Sequence, residues 1–202
     1  MLFALQQGQF GRRHAGTGSV LSSSTTWNPS DKTSGWSLSN GDLTATDSTS
    51  GLHSIRATRG SVSGDKFVWA TKVTGRSSPT EHYTGVTNAS QSISSIGSPY
   101  WLVRQDGTVF SGGGTSGGSS VTAPAVNDVE IWAYDHDAKK LWYGLNGTWA
   151  FSGNPAAGTG PAMTFTSADA FKALVQSFNN MTIDLLVGAQ YPYSPPSGFT
   201  AY

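Results

Sequence analysis

Asp135-His136-Asp137 places two carboxylates at i and i+2 with an imidazole between them, side-chain types that ligate a metal ion or divide acid and base work. The setting argues for turn residues instead. Strand-like runs flank the three, so they sit at a hairpin tip, where solvated side chains seldom converge on a substrate. The remaining histidines, His14, His53 and His82, show no ligand spacing. Glu81 and Glu130 are the only glutamates, and they do not form the carboxylate cluster on one strand that a sandwich glycosidase uses. No G-x-S-x-G turn presents a nucleophile. The Gly112 to Gly118 run lacks the following Lys-Ser/Thr and helix of a phosphate loop, so it reads as a flexible hairpin loop. The absence of cysteine excludes disulfides and thiolate metal sites. These readings predict no catalytic residue, no metal and no cofactor: a protein that binds and does not cleave.

Binding then falls to surface loops. Residues 75–83, 90–101 and 111–121 are rich in Ser, Gly and Thr with interspersed aromatics, a mixture that supplies adaptable hydrogen bonds and flat apolar platforms for a sugar ring or a peptide side chain. His82, Tyr83, Tyr100, Trp101 and Arg104 are the candidate ligand contacts.

The elements that must hold these loops are short strands. Apolar or alternating runs recur at 36–46, 52–58, 65–74, 83–88, 100–110, 128–135, 140–145, 171–178 and 181–187, with turn residues between them, the spacing of an antiparallel sandwich or barrel. Helix propensity is locally good only around 168–176, where sandwich context favours a strand over 171–178. The chain has 202 residues, 25 Gly, 9 Pro and 12% charged residues, which fits one turn-dense β domain with a well-buried core. Formal net charge is zero and no basic stripe is present, so nucleic acid and anionic membranes are disfavoured partners. No run has the length of a membrane-spanning helix. Met1 to Leu5 is apolar but shorter than a signal-peptide hydrophobic region, and Arg12-Arg13 follows it, so no export signal is expected.

Residues 1–24 differ from the rest as a Gln/Gly/Ser-rich arm with an apolar tip. Such an arm orders only against a partner. Leu2, Phe3 and Leu5 are therefore expected to insert into a partner, with Arg12 and Arg13 meeting acceptors near the entry, while residues 25–202 form the domain.

The stretch from Asp128 to Trp149 reads D-V-E-I-W-A-Y-D-H-D-A-K-K-L-W-Y-G-L-N-G-T-W. Two strand runs join through a polar turn, and Asn146-Gly147 suits a second tight turn. This hairpin resembles the signature of the SPRY (B30.2-like) domain, in particular the form in bacteriophage virion proteins, D-V-I-G-V-A-L-D-L-D-A-G-K-L-W-F-S-K-N-G-x-W. The resemblance runs on through Ser152 to Thr159 and Pro195-Pro196-Ser197-Gly198-Phe199. Upstream it takes in Trp27 to Ser30, Leu38 to Thr46, Ser54 to Thr58 and Lys66 to Trp69. Glu130 departs from it, standing where the family has an aliphatic residue, and so does Lys139, in place of a turn glycine.

The resemblance implies a concanavalin-like antiparallel β-sandwich of SPRY type, with Trp132 and Tyr134 facing the core and Glu130 near a strand edge. It also implies a virion setting: a multimeric module on the surface of a phage or phage-derived particle, head or tail, made in the host cytoplasm. There the arm would dock on capsid or tail subunits and the loops would contact a host-surface saccharide or envelope component. A decoration protein that binds only other virion subunits, and a polysaccharide depolymerase, are the alternatives.

Overall fold

The computed structural model describes residues 25–94, 98–167 and 169–202. The expected docking residues Leu2, Phe3, Leu5, Arg12 and Arg13, with the whole arm, lie outside the described residues. In the first half of the chain the strands are β1 (Trp27–Lys32), β2 (Trp36–Ser39), β3 (Thr44–Asp47), β4 (His53–Ala57), β5 (Lys66–Arg76), β6 (His82–Asn88) and β7 (Tyr100–Arg104). Next come β8 (Val109–Gly112), β9 (Gly114–Ser116), β10 (Val129–Asp135), β11 (Lys140–Leu145) and β12 (Thr148–Trp149). The chain closes with β13 (Met163–Phe165), β14 (Phe171–Ser177), β15 (Met181–Leu186) and β16 (Thr200–Ala201). Two sheets result, ordered β1-β4-β14-β6-β7-β8 and β2-β3-β15-β5-β10-β11-β13-β9. Strand pairing is antiparallel except where β16 runs parallel to β5. The all-β, concanavalin-like sandwich is as expected, and 171–178 is a strand.

The β10–β11 hairpin shows how sequence sets register. Asp135 accepts a hydrogen bond from the Ala138 N–H at 3.0 Å, closing the polar turn. Asn146 and Gly147 have φ of 49° and 84°, the two positive values that a tight two-residue turn needs to match strand twist. With the register fixed, Glu130, Trp132 and Tyr134 share the face between the sheets, and all three are buried. Trp132 and Tyr134 are core residues. Glu130 is not at a sheet edge: β10 lies between β5 and β11, so its carboxyl is buried inside the sandwich. Gly147→Ala should cost about 1–2 kcal/mol, because a methyl there meets the Tyr193 ring at 3.0 Å in a left-handed backbone. Urea titration measures the loss.

Three further expectations change. The 36–46 run is a hairpin, turning at Asn40-Gly41, and 100–110 is another, turning at Asp106-Gly107. The Gly112 to Gly118 run is not merely a loop. Gly113, at φ 84°, turns the chain out of the first sheet, and 114–116 pair with β13 in the second. A Cβ on Gly114 would stand 2.1 Å from the Thr164 carbonyl oxygen, so that pairing requires glycine.

Aromatic and aliphatic side chains from both sheets fill the space between them, among them Trp69, Trp101, Trp132, Tyr143 and Phe171. The outer face of the second sheet carries Val68, Ala70, Ile131, Ala133 and Trp142, and the tail after β15 covers it with Tyr191 and Phe199. The corresponding face of the first sheet is left partly open.

Candidate functional site

In β6 and β7 successive side chains point to opposite faces, so the neighbours His82 and Tyr83, and Tyr100 and Trp101, cannot share a surface. Trp101 and Val103 enter the core with Val86, while Tyr100, Leu102 and Arg104 face outward alongside Tyr83. His82 and Trp101 are both 0% exposed. Neither can touch a ligand at the surface, which corrects the loop-based expectation for these two. Tyr83, Tyr100 and Arg104 do gather on one face.

They are joined there by residues from distant parts of the chain. Leu52, Tyr83, Ser94, Tyr100, Leu102, Phe110, Gln176 and Phe178 line a groove of about 360 Å³. Tyr83 sits edge-on to Phe110 at 5.5 Å and tilts against Phe178 at 6.3 Å. Leu52 and Phe178 remain 41% and 40% exposed, unusual for large apolar side chains that share a patch. One wall is the segment after β6. Arg56 donates through Nη1 to the carbonyls of Asn88 and Gln91 at 3.1 and 2.9 Å and pairs with Asp31 through its Nε and Nη2 edge, which holds that segment over the sheet.

The Gln176 amide nitrogen and Arg104 are already engaged within the fold. Gln176 Nε2 donates to Ser54 Oγ at 3.0 Å. Arg104 grips Asp106 with two hydrogen bonds, at 3.0 and 2.6 Å, and lies over the Phe110 ring at 5.5 Å. The hydrogen bond from Arg104 holds the Asp106 carboxyl well below its ordinary range. What the groove offers a ligand is an apolar floor with no uncompensated charge, edged by the polar tips of Tyr83, Tyr100 and Gln176.

The Asp135-His136-Asp137 cluster is internally satisfied. Burial works against the Asp135 charge, but hydrogen bonds from Lys66 and the Ala138 N–H outweigh it and keep the carboxyl below its ordinary value. His136 is buried against Ser61 Oγ at 3.0 Å, and Asp137 accepts from Ser63 and Gly64. Among the described residues no group of three or more His, Cys, Asp or Glu is placed to hold a metal ion. Ser77 Oγ lies 3.4 Å from His82 Nε2, but His82 Nδ1 has no partner to orient it. Burial pushes that imidazole down to about 4, which makes it a weak base.

No family model and no curated protein matches the chain. Solved structures do. The SPRY domain of human HERC1 is 15% identical, with 79% of this chain and 96% of that one covered at a TM-score of 0.59. The TRIM65 PSpry domain is 13% identical, covering 80% and 89% at 0.54. The NEUZ (NHR) domain of Neuralized from Drosophila melanogaster is 12% identical, covering 86% and 97% at 0.52. At such identities the likeness speaks for architecture alone, and it agrees with the hairpin motif: the chain has a SPRY-like fold.

Proposed function

We propose that this chain is a non-enzymatic binding module whose groove on the first sheet takes large apolar side chains presented by a segment of a partner protein. The observation that carries this reading is the groove itself, an open aromatic and aliphatic floor whose one nearby charge, Arg104, is paired with Asp106. A saccharide asks for hydroxyl-binding groups beside the ring platform, and Gln176 and Arg104 are committed elsewhere, so a peptide is the better match.

The test is to pan the immobilised full-length protein against a random-peptide library and, in parallel, a glycan array. Peptides carrying paired large apolar residues should be enriched. Their affinity should drop about tenfold or more in Tyr100→Ala or Phe178→Ser, substitutions at exposed or half-buried positions that leave the core intact. Glycan binding lost in the same variants would instead support the saccharide reading of these aromatics.

A narrower version draws on the hairpin's resemblance to phage virion proteins. In it the module sits on a particle surface, residues 1–24 dock on capsid or tail subunits, and many copies act together on a host-surface component. Weak single sites suffice there, because linked sites gain about 10² to 10⁴ in avidity.

A further inference from the structure

Tyr83 and Arg104 are cross-strand partners at the end of the groove, and the residues next to them, Thr84 and Gln105, turn inward. Both inward residues meet one group from the opposite sheet. Thr84 Oγ1 donates to Glu130 at 2.5 Å, and Gln105 Nε2 donates to its other carboxyl oxygen at 2.8 Å. Gln105 is held in turn by Arg76, whose guanidinium donates to Gln105 Oε1 at 2.9 Å and to the Pro124 carbonyl at 2.9 Å. We propose that Glu130 is a positioning residue for the groove: its ionised carboxyl fastens Thr84 and Gln105 from inside the sandwich, and so sets Tyr83 and Arg104 on the outside, making the groove sensitive to one buried proton.

The chemistry of the carboxyl supplies the switch. Ionised, it accepts from both donors. Protonated on the oxygen that faces Thr84, it presents that hydroxyl with a donor in place of a charged acceptor, and the Thr84 oxygen already accepts from Gln105 Nε2 at 3.3 Å. Protonated on the other oxygen, it meets the Gln105 N–H with a second donor. The groups facing Glu130 are few. Arg76 comes from β5 and Tyr143 from β11. His82, two residues along the same face of β6, is kept neutral above about 4 by burial, which separates its titration from that of Glu130. Burial pushes the Glu130 carboxyl up to about 7 against the hydrogen bonds of Thr84 and Gln105, into the range where solution pH can move it.

The inference rests on the groove being the binding site, and the experiment separates the two claims. Isotope-labelled full-length protein is titrated from about pH 5 to pH 9, following the Glu130 carboxyl carbon and the backbone amides of Tyr83 and Arg104 by NMR, with indole as an apolar probe. The amides should share the midpoint of the Glu130 carboxyl, and indole should bind about fivefold more tightly to the ionised form. Glu130→Gln should abolish the shared midpoint. It retains every histidine, so a midpoint contributed by an imidazole would survive in it. Thr84→Val, which keeps side-chain shape, should release Tyr83 from the titration while Arg104 still follows it, and this variant serves if Glu130→Gln folds poorly. Amides that stay fixed while Glu130 titrates, or a carboxyl that does not titrate in the window, overturn the proposal. Amides that follow Glu130 while indole leaves the groove signals untouched uphold the positioning role and sink the binding reading.

Discussion

Trp132→Ala should lower the unfolding free energy by about 3–5 kcal/mol, a large fraction of the roughly 5–15 kcal/mol that holds a typical domain together. Trp132 is 0% exposed and lies at the meeting point of the two sheets. It stacks on Trp69 of β5 at 5.9 Å, meets Trp101 of β7 edge-on at 5.9 Å and contacts Tyr143 of β11 at 4.9 Å. Truncation opens a cavity that strands on both sides resist closing, because their spacing is set by their own ladders. It also strips the buried Thr71 hydroxyl of the indole N–H that donates to it at 3.1 Å, and an unpaired buried hydroxyl adds to the loss. Chemical denaturation monitored by far-UV circular dichroism gives the number, and the midpoint of thermal unfolding should fall by about 10 °C for a chain of this length. Trp132→Phe should cost clearly less, since it keeps a ring against Tyr143. A loss below about 1 kcal/mol for alanine would mean that the site collapses freely and that the sheets are not held apart by their ladders.

The hairpin around Trp132 was the most legible part of the chain because turn chemistry and aromatic content agree there on the pairing. The inward facing of Trp132 and Tyr134 came from the resemblance, since alternation puts the polar Glu130 on the same face. The β6 and β7 strands were misleading for a physical reason that lies elsewhere in the fold. Their inward residues include His82 and Thr84, followed by Gln105, while Tyr83, Tyr100 and Leu102 face outward. Polarity is thus inverted from the usual pattern, since a buried Glu130 needs polar company. Period two says that His82 and Tyr83 must part, but which one enters the core is not decided within the strand. The groove was half legible. Tyr83, Tyr100 and Arg104 could be picked out as polar-tipped or aromatic residues near turns, whereas Leu52, Phe110 and Phe178 join them only through the strand order. The glycine-rich run after β8 misled in another way, because glycine marks both a loop and a place where a neighbouring backbone leaves no room for a side chain.

The same inverted strands predict two opposing pH dependences of stability. Glu130 has an ordinary value of 4.5 and is raised to about 7 by burial in the folded protein. Between those limits the folded state holds a proton that the unfolded state has released, so this group's contribution is full below about 4.5 and is lost as pH rises through 7. The size is on the order of 3 kcal/mol. His82 runs the other way. Burial lowers it from 6.5 to about 4, so between those limits the unfolded state binds the extra proton and stability grows as pH rises, by on the order of 3 kcal/mol. Over the shared range the two slopes oppose each other, and the joint contribution of the pair should be shallow. Glu130→Gln should uncover the rising slope of His82, and His82→Gln the falling slope of Glu130. Urea unfolding at a series of pH values measures all three proteins. The decisive quantity is the stability of wild type minus that of Glu130→Gln, which cancels the histidines and the surface carboxylates. It should fall by about 3 kcal/mol across the window, and a difference that stays constant would show that the Glu130 carboxyl keeps its ordinary proton affinity inside the sandwich.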